Sequence, residues 1–144
     1  MGAVACAGVT VTPAPSPSAT DTVEIETASG VVAVRVEVAD TPAERRIGLM
    51  FRDELAPDAG MLFLYDAPAS GGLWMKDTTI PLSAAFFDAS GRIIALVDMQ
   101  PCTADPCPRY APPTPYTGAL EVNLGAFEAW GVAVGDRLTH RLDP

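Results

Sequence analysis

The sequence predicts a mainly β fold, a compact barrel-like or sandwich domain of about seven strands with one or two short helices. Three observations predict it. Residues 32–38 alternate, with Val32, Val34, Val36 and Val38 on one side and Arg35 and Glu37 on the other, the period of two that marks a half-buried strand. Short apolar runs such as GMLFLYD (60–66) and RIIALVDM (92–99) recur between Gly- and Pro-containing turn signals. The clearest helix start, TPAE at 41–44, opens only a brief helical stretch.

Taken in order, Val23–Thr27 reads as a first strand, joined to 32–38 by a hairpin turn at Ala28-Ser29-Gly30. Thr41 can cap a helix, Pro42 suits its first position and Glu44 completes a capping box, with the helix ending near Arg52–Leu55. GMLFLYD is a buried strand by its continuous apolar run. IPLSAAFFD (80–88) and RIIALVDM form two more, turning at Gly91. A proline-rich loop covers 101–115. GALEVNLG (118–125) then alternates Leu120, Val122 and Leu124 inward, AFEAWGV (126–132) makes one helical turn, and DRLTHRL (136–142) closes as a strand.

At 144 residues the chain suits one domain with a hydrophobic core, here placed at 23–144. Apolar residues make up 49% and charged residues 19%, which fits a folded protein rather than a disordered one. No apolar run approaches the roughly eighteen residues of a membrane-spanning helix. Eighteen acids against nine bases give a formal charge of −9, which repels a phosphate backbone and argues against nucleic-acid partners.

Residues 1–22 are built from Ala, Ser, Thr, Gly and Pro and read as a flexible tail. Within it, Cys6 in AVACAG resembles the processing point of a bacterial lipoprotein signal, and the Pro/Ser/Thr stretch behind it suits a tether. An incidental free thiol is the alternative. Cys102 and Cys107, in PCTADPCPRY, lack the further ligands of a zinc site, and the flanking prolines oppose the helix that a redox pair usually opens. A disulfide closing a small loop is the expected state, and disulfides belong to oxidising compartments. The expectation is a periplasmic or envelope-associated monomer, with a lipid anchor at Cys6 as its one membrane contact.

In order along the chain come ERRIGLMFRDEL, GMLFLYD, WMKDTTIPLSAAFFD, GRIIALVDMQPC and ALEVNLGAFEAWGVAVGD. Together they closely resemble the bacterial and archaeal family known as domain of unknown function 192, over about Val23 to Leu142. Gly48, Leu49, Met50 and Arg52 match its Gly-Leu-Met-x-Arg motif, and Gly60–Phe63 its Gly-Met-Leu-Phe motif. Trp74–Lys76, Thr78 and Ile80–Leu82 match its Trp-Met-Lys-Asn-Thr-x-Ile-Pro-Leu-Asp motif, while Asp77 stands where asparagine is usual and Ser83 where aspartate is usual. The resemblance implies a β-rich barrel-like fold and frequent export, and brings no activity, substrate or cofactor with it.

The candidate site residues are Arg45, Arg52, Trp74, Lys76, Asp77 and Glu121. Trp74 and Met75 either line a ligand groove or pack the core; in an extended segment Trp74 and Lys76 share one side and Met75 takes the other. A salt bridge from Lys76 to Asp77, Asp88 or Glu121 is expected over a nucleophilic role. Arg45, Arg46 and Arg52 can grip a carboxylate or phosphate, or pair with Glu44, Asp53 or Glu54; Arg45 and Arg52 share a face if the helix persists. Glu121 lies on the polar side of an alternating strand, facing solvent or partnering a cation. His140 has no triad or metal companions, and neither a metal site nor a cofactor motif is evident. The leading expectation is a non-catalytic envelope module that binds a small anion, a glycan or a protein segment. An envelope hydrolase or lyase using Lys76 and nearby acids, and a structural protein without a ligand site, are the alternatives.

Overall fold

The computed structural model describes residues 21–142. Residues 1–20, Cys6 among them, lie outside the described residues, while Asp21 and Thr22, expected in the tail, open the first strand. Seven strands and two short helices follow one another as β1 (Asp21–Thr27), β2 (Gly30–Ala39), α1 (Pro42–Ile47), β3 (Ala59–Ala69), β4 (Leu82–Phe87), β5 (Ile93–Met99), β6 (Tyr116–Asn123), α2 (Ala126–Trp130) and β7 (Arg137–Leu142). They form one sheet in the order β5-β4-β6-β3-β2-β1-β7. All pairings are antiparallel except β2 with β3, which run parallel because the chain crosses over through α1.

The sheet curls into a half-barrel. Its two edge strands meet at one end, where the Leu138 N–H donates to the Gly91 carbonyl at 2.7 Å and the Ile93 N–H to the Asp136 carbonyl at 2.8 Å. Glycine is needed at that seam: φ at Gly91 is 86°, and a Cβ there would stand 2.2 Å from the Leu138 carbonyl oxygen.

Two hydrophobic clusters lie on the two faces of this sheet. Inside the curl, Val23, Ile25, Val34, Val36, Leu62 and Leu120 pack together, and Phe127 of α2 plugs one end. On the outer face, Phe63, Phe86 and Ala119 are covered by Leu49, Leu73, Met75 and Ile80 from the connections before β3 and β4. That second cover explains why all six residues of β4 are buried, and why its sequence shows no alternation.

Three elements differ from the sequence expectation. α1 stops at Ile47 rather than near 52–55, because Gly48 turns to φ 49° and its N–H closes on the Glu44 carbonyl. The start is as expected, with Thr41 Oγ1 accepting from the Glu44 N–H at 3.1 Å and Glu44 Oε1 accepting from the Thr41 N–H at 3.2 Å. Leu124 is 41% exposed rather than inward, since β6 ends at Asn123 and the chain turns away. The Trp74–Ile80 segment belongs to no strand; it is held by single bridges, Leu73 to Tyr110 and Lys76 to Cys102.

Candidate functional site

β6 carries Glu121 on the outer face of the sheet, in register with Met61 of β3 and Ala84 of β4. Neither neighbour offers a polar atom. The covering segment closes over the strand, and only 4% of Glu121 remains exposed. Burial alone pushes its carboxyl up to about 8, so the group holds its proton through the neutral range. Among the described residues no hydrogen bond or ion pair reaches that carboxyl.

Glu121 lies at the floor of a cavity of about 490 Å³, within the usual size range for small-molecule sites. Three pieces of chain build its walls. The short α1 supplies Arg45 and Arg46, the segment from Gly72 to Thr78 supplies Leu73, Trp74 and Met75, and the loop before β6 supplies Arg109. Gly72 makes the second wall fit against the third: its φ is 85°, and a Cβ would lie 2.9 Å from the Tyr110 carbonyl oxygen. Its N–H donates to the Tyr116 hydroxyl at 2.9 Å, which ties the segment to β6.

Arg45 is fixed by donating to the Leu64 carbonyl at 2.8 Å and by standing 4.9 Å from the centroid of the Tyr65 ring. Burial, and secondarily the adjacent Tyr116, hold the Tyr65 hydroxyl protonated well above its ordinary value. The Arg109 guanidinium lies 4.3 Å from the centroid of the Trp74 ring, and Lys76 Nζ lies 5.8 Å from it. Lys76 also pairs with Asp105 at 3.4 Å. Asp105 lies inside the loop closed by the Cys102–Cys107 disulfide and Arg109 two residues beyond it; the Cα atoms of the two cysteines are 5.7 Å apart, so this bond staples the outer wall.

Arg45, Trp74 and Glu121 thus come together in one cavity. Lys76 stands beside it on Trp74, and its acid partner is Asp105 rather than Asp77, Asp88 or Glu121. Asp77 is exposed at φ 54° and its carbonyl accepts from the Phe51 N–H at 2.8 Å. A left-handed position favours Asn and Asp, which is a backbone reason for the residue type there. Arg52 does not share a face with Arg45, since α1 ends between them. It lies on the other flank of α1 in a separate hollow of about 450 Å³, forked onto Glu37 at 2.6 and 2.9 Å instead of onto Glu44, Asp53 or Glu54. Ser83 donates to Asp98 at 2.8 Å and accepts from the Gly125 N–H at 3.0 Å, a bracing role that needs no acid at 83. His140 pairs with Asp21 at 2.9 Å, away from the cavity.

Sequence reasoning did not single out Tyr65 or Arg109. Arg109 had one signal, a cation two residues after a disulfide cysteine; Tyr65 had none beyond its place at the end of a buried strand.

Residues 23–140 match the family domain of unknown function 192, described as an uncharacterized ACR. A protein from Sinorhizobium meliloti 1021 described as a "putative transcription regulator" is 34% identical, with a TM-score of 0.76 over 83% of this chain and 92% of that one. A protein of unknown function from Novosphingobium aromaticivorans DSM 12444 is 32% identical, with a TM-score of 0.77 over 82% of this chain and 83% of that one. No curated protein matches the chain. With the same fold as these structures and a family match across nearly all of its described length, the chain belongs to the domain of unknown function 192 family.

Proposed function

We propose that this protein is a small-molecule-binding module of the cell envelope, and that its site is the cavity over Glu121. The observation that carries the reading is the buried Glu121 carboxyl, at the floor of that cavity and without a partner among the described residues. No buried side-chain oxygen or nitrogen is left orphaned among the described residues, so the Glu121 carboxyl opens onto the cavity and keeps its hydrogen-bonding capacity for what enters there. The envelope part rests on the Cys102–Cys107 disulfide, which suits an oxidising compartment, and on the lipoprotein-like surroundings of Cys6. The net charge of −9 weighs against a role on nucleic acid, including the one in the description of the Sinorhizobium relative.

One observation favours an enzyme as a second reading: a buried acid with a raised pKa is a common general acid. Against it, Glu121 is the one carboxylate among the residues lining the cavity, so acid–base chemistry there lacks a partner group. Lys76 is drawn to Asp105 on the surface and does not line the cavity.

The test is amide and indole NMR of the protein titrated with a fragment library. Binding is expected to move Gly72–Thr78, Arg109 and the Trp74 indole together. Fragments that perturb only sites elsewhere would contradict the assignment.

A further inference from the structure

The charge around this cavity is the reverse of the charge on the molecule. Of the arginines among the described residues, Arg35, Arg52 and Arg141 are held in salt bridges with Asp58, Glu37 and Glu24. The other five form no ion pair among the described residues; Arg92 and Arg137 lie at the seam of the edge strands, and Arg45, Arg46 and Arg109 all line the Glu121 cavity. An acidic protein therefore gathers three uncompensated guanidinium groups on one opening. Arg46 and Arg109 are exposed and stand at its mouth, while Arg45 is half-buried and pinned on Tyr65.

These positions select a ligand in two ways. Planar guanidinium groups attract an anion and grip it in bidentate fashion, and they repel a cation on its way in. The floor selects differently. A protonated carboxyl has a single O–H to offer an anion and a carbonyl oxygen that would face that anion unpaired, whereas a hydroxyl can both donate to and accept from it. The floor is otherwise apolar, framed by Phe63, Leu73 and Met75, and the Thr78 hydroxyl is already committed to the Lys76 carbonyl at 3.0 Å.

We propose that the cavity takes a small anion that also carries hydroxyl groups, with its carboxylate or phosphate held at the mouth by Arg46 and Arg109 and one hydroxyl bound by Glu121 at the floor. This rests on the reading of the cavity as a binding site, and it names the ligand chemistry that the site accepts. Sugar acids and sugar phosphates share that chemistry.

The experiment is an NMR titration of the protein with D-glucuronate, glucose 6-phosphate, glucose, acetate and inorganic phosphate, each at matched ionic strength. At least one of the first two is expected to shift Gly72–Thr78, Arg109 and the Trp74 indole, with affinity about tenfold or more above that of the other three. Which of the two binds distinguishes carboxylate from phosphate. In the Arg46→Ala/Arg109→Ala protein the advantage over glucose is expected to vanish. In Glu121→Leu the advantage over acetate and phosphate is expected to vanish, and Glu121→Gln, which still offers a donor and an acceptor, is expected to keep part of it. Glucose binding as tightly as the anions, or acetate and phosphate binding as tightly as their hydroxylated counterparts, would overturn the ligand class and leave the site standing. Silence from all five, with library fragments still moving the cavity, would overturn the class alone. Silence from probes and fragments together would overturn both.

Discussion

The Arg109 guanidinium stands 4.3 Å from the centroid of the Trp74 indole, which joins a loop closed by a disulfide to the family's tryptophan. Because Arg109 follows Cys107 by two residues and Lys76 pairs with Asp105 inside the loop, the disulfide positions both cations around that ring. Reduction, or Cys102→Ala with Cys107→Ala, is expected to lower stability by about 2 kcal/mol, the chain-entropy value for so short a ring. It is also expected to change Trp74 fluorescence within the folded state. Chemical denaturation with and without reductant, followed by Trp emission, checks both.

Arg52→Ala is expected to destabilise the fold by about 2 kcal/mol while leaving ligand-induced NMR shifts at the Glu121 cavity intact. Arg52 forks onto Glu37 at 2.6 and 2.9 Å, and only 11% of the Glu37 side chain is exposed, so truncation strands a mostly buried carboxylate. Thermal unfolding and one titration separate the two effects.

Position 77 is expected to follow backbone conformation rather than charge. With φ at 54°, Asp77→Asn should change stability by less than about 0.5 kcal/mol, whereas Asp77→Val should cost about 1–3 kcal/mol. Comparison of urea midpoints for the two variants decides it.

Gly91→Ala is expected to open the seam between the edge strands. The new Cβ would stand 2.2 Å from the Leu138 carbonyl oxygen, at a φ of 86° that L-residues rarely adopt. Hydrogen exchange should show lost protection at Leu138 and Ile93 before the rest of the sheet.

Much of the fold was legible because its signals are local. The Thr41–Glu44 capping box, the alternation through Val34 and Val36, and the apolar runs of β3, β4 and β5 each act within a few residues. The end of α1 was less legible, since the apolar and cationic pattern continues past Gly48 while its backbone does not. At the candidate site, Trp74, named from its motif, and Arg45, named from residue type and spacing, line the same cavity. Glu121 was placed on the right strand but in the wrong surroundings: alternation assigns it a face, and only the covering of that face by Leu49, Leu73 and Met75, all distant in sequence, makes it buried. Arg52 was misplaced for the same reason, because its partner Glu37 lies across the parallel crossover.

The central claim is that Glu121 is kept for a ligand at a cost to the fold, and its pH dependence tests this most directly. The folded-state pKa is raised from 4.5 to about 8, so the folded protein holds a proton that the unfolded chain releases. The group's contribution is then most favourable below about 4.5 and is lost progressively as pH rises, levelling off above about 8. Unfolding free energies of the unliganded protein and of Glu121→Leu are to be measured from pH 5 to 9. Glu121→Leu is expected to be the more stable protein, by a margin that widens through that window to a few kcal/mol. A leucine variant that is less stable than the parent at every pH would show a carboxyl serving the fold, and would contradict the account.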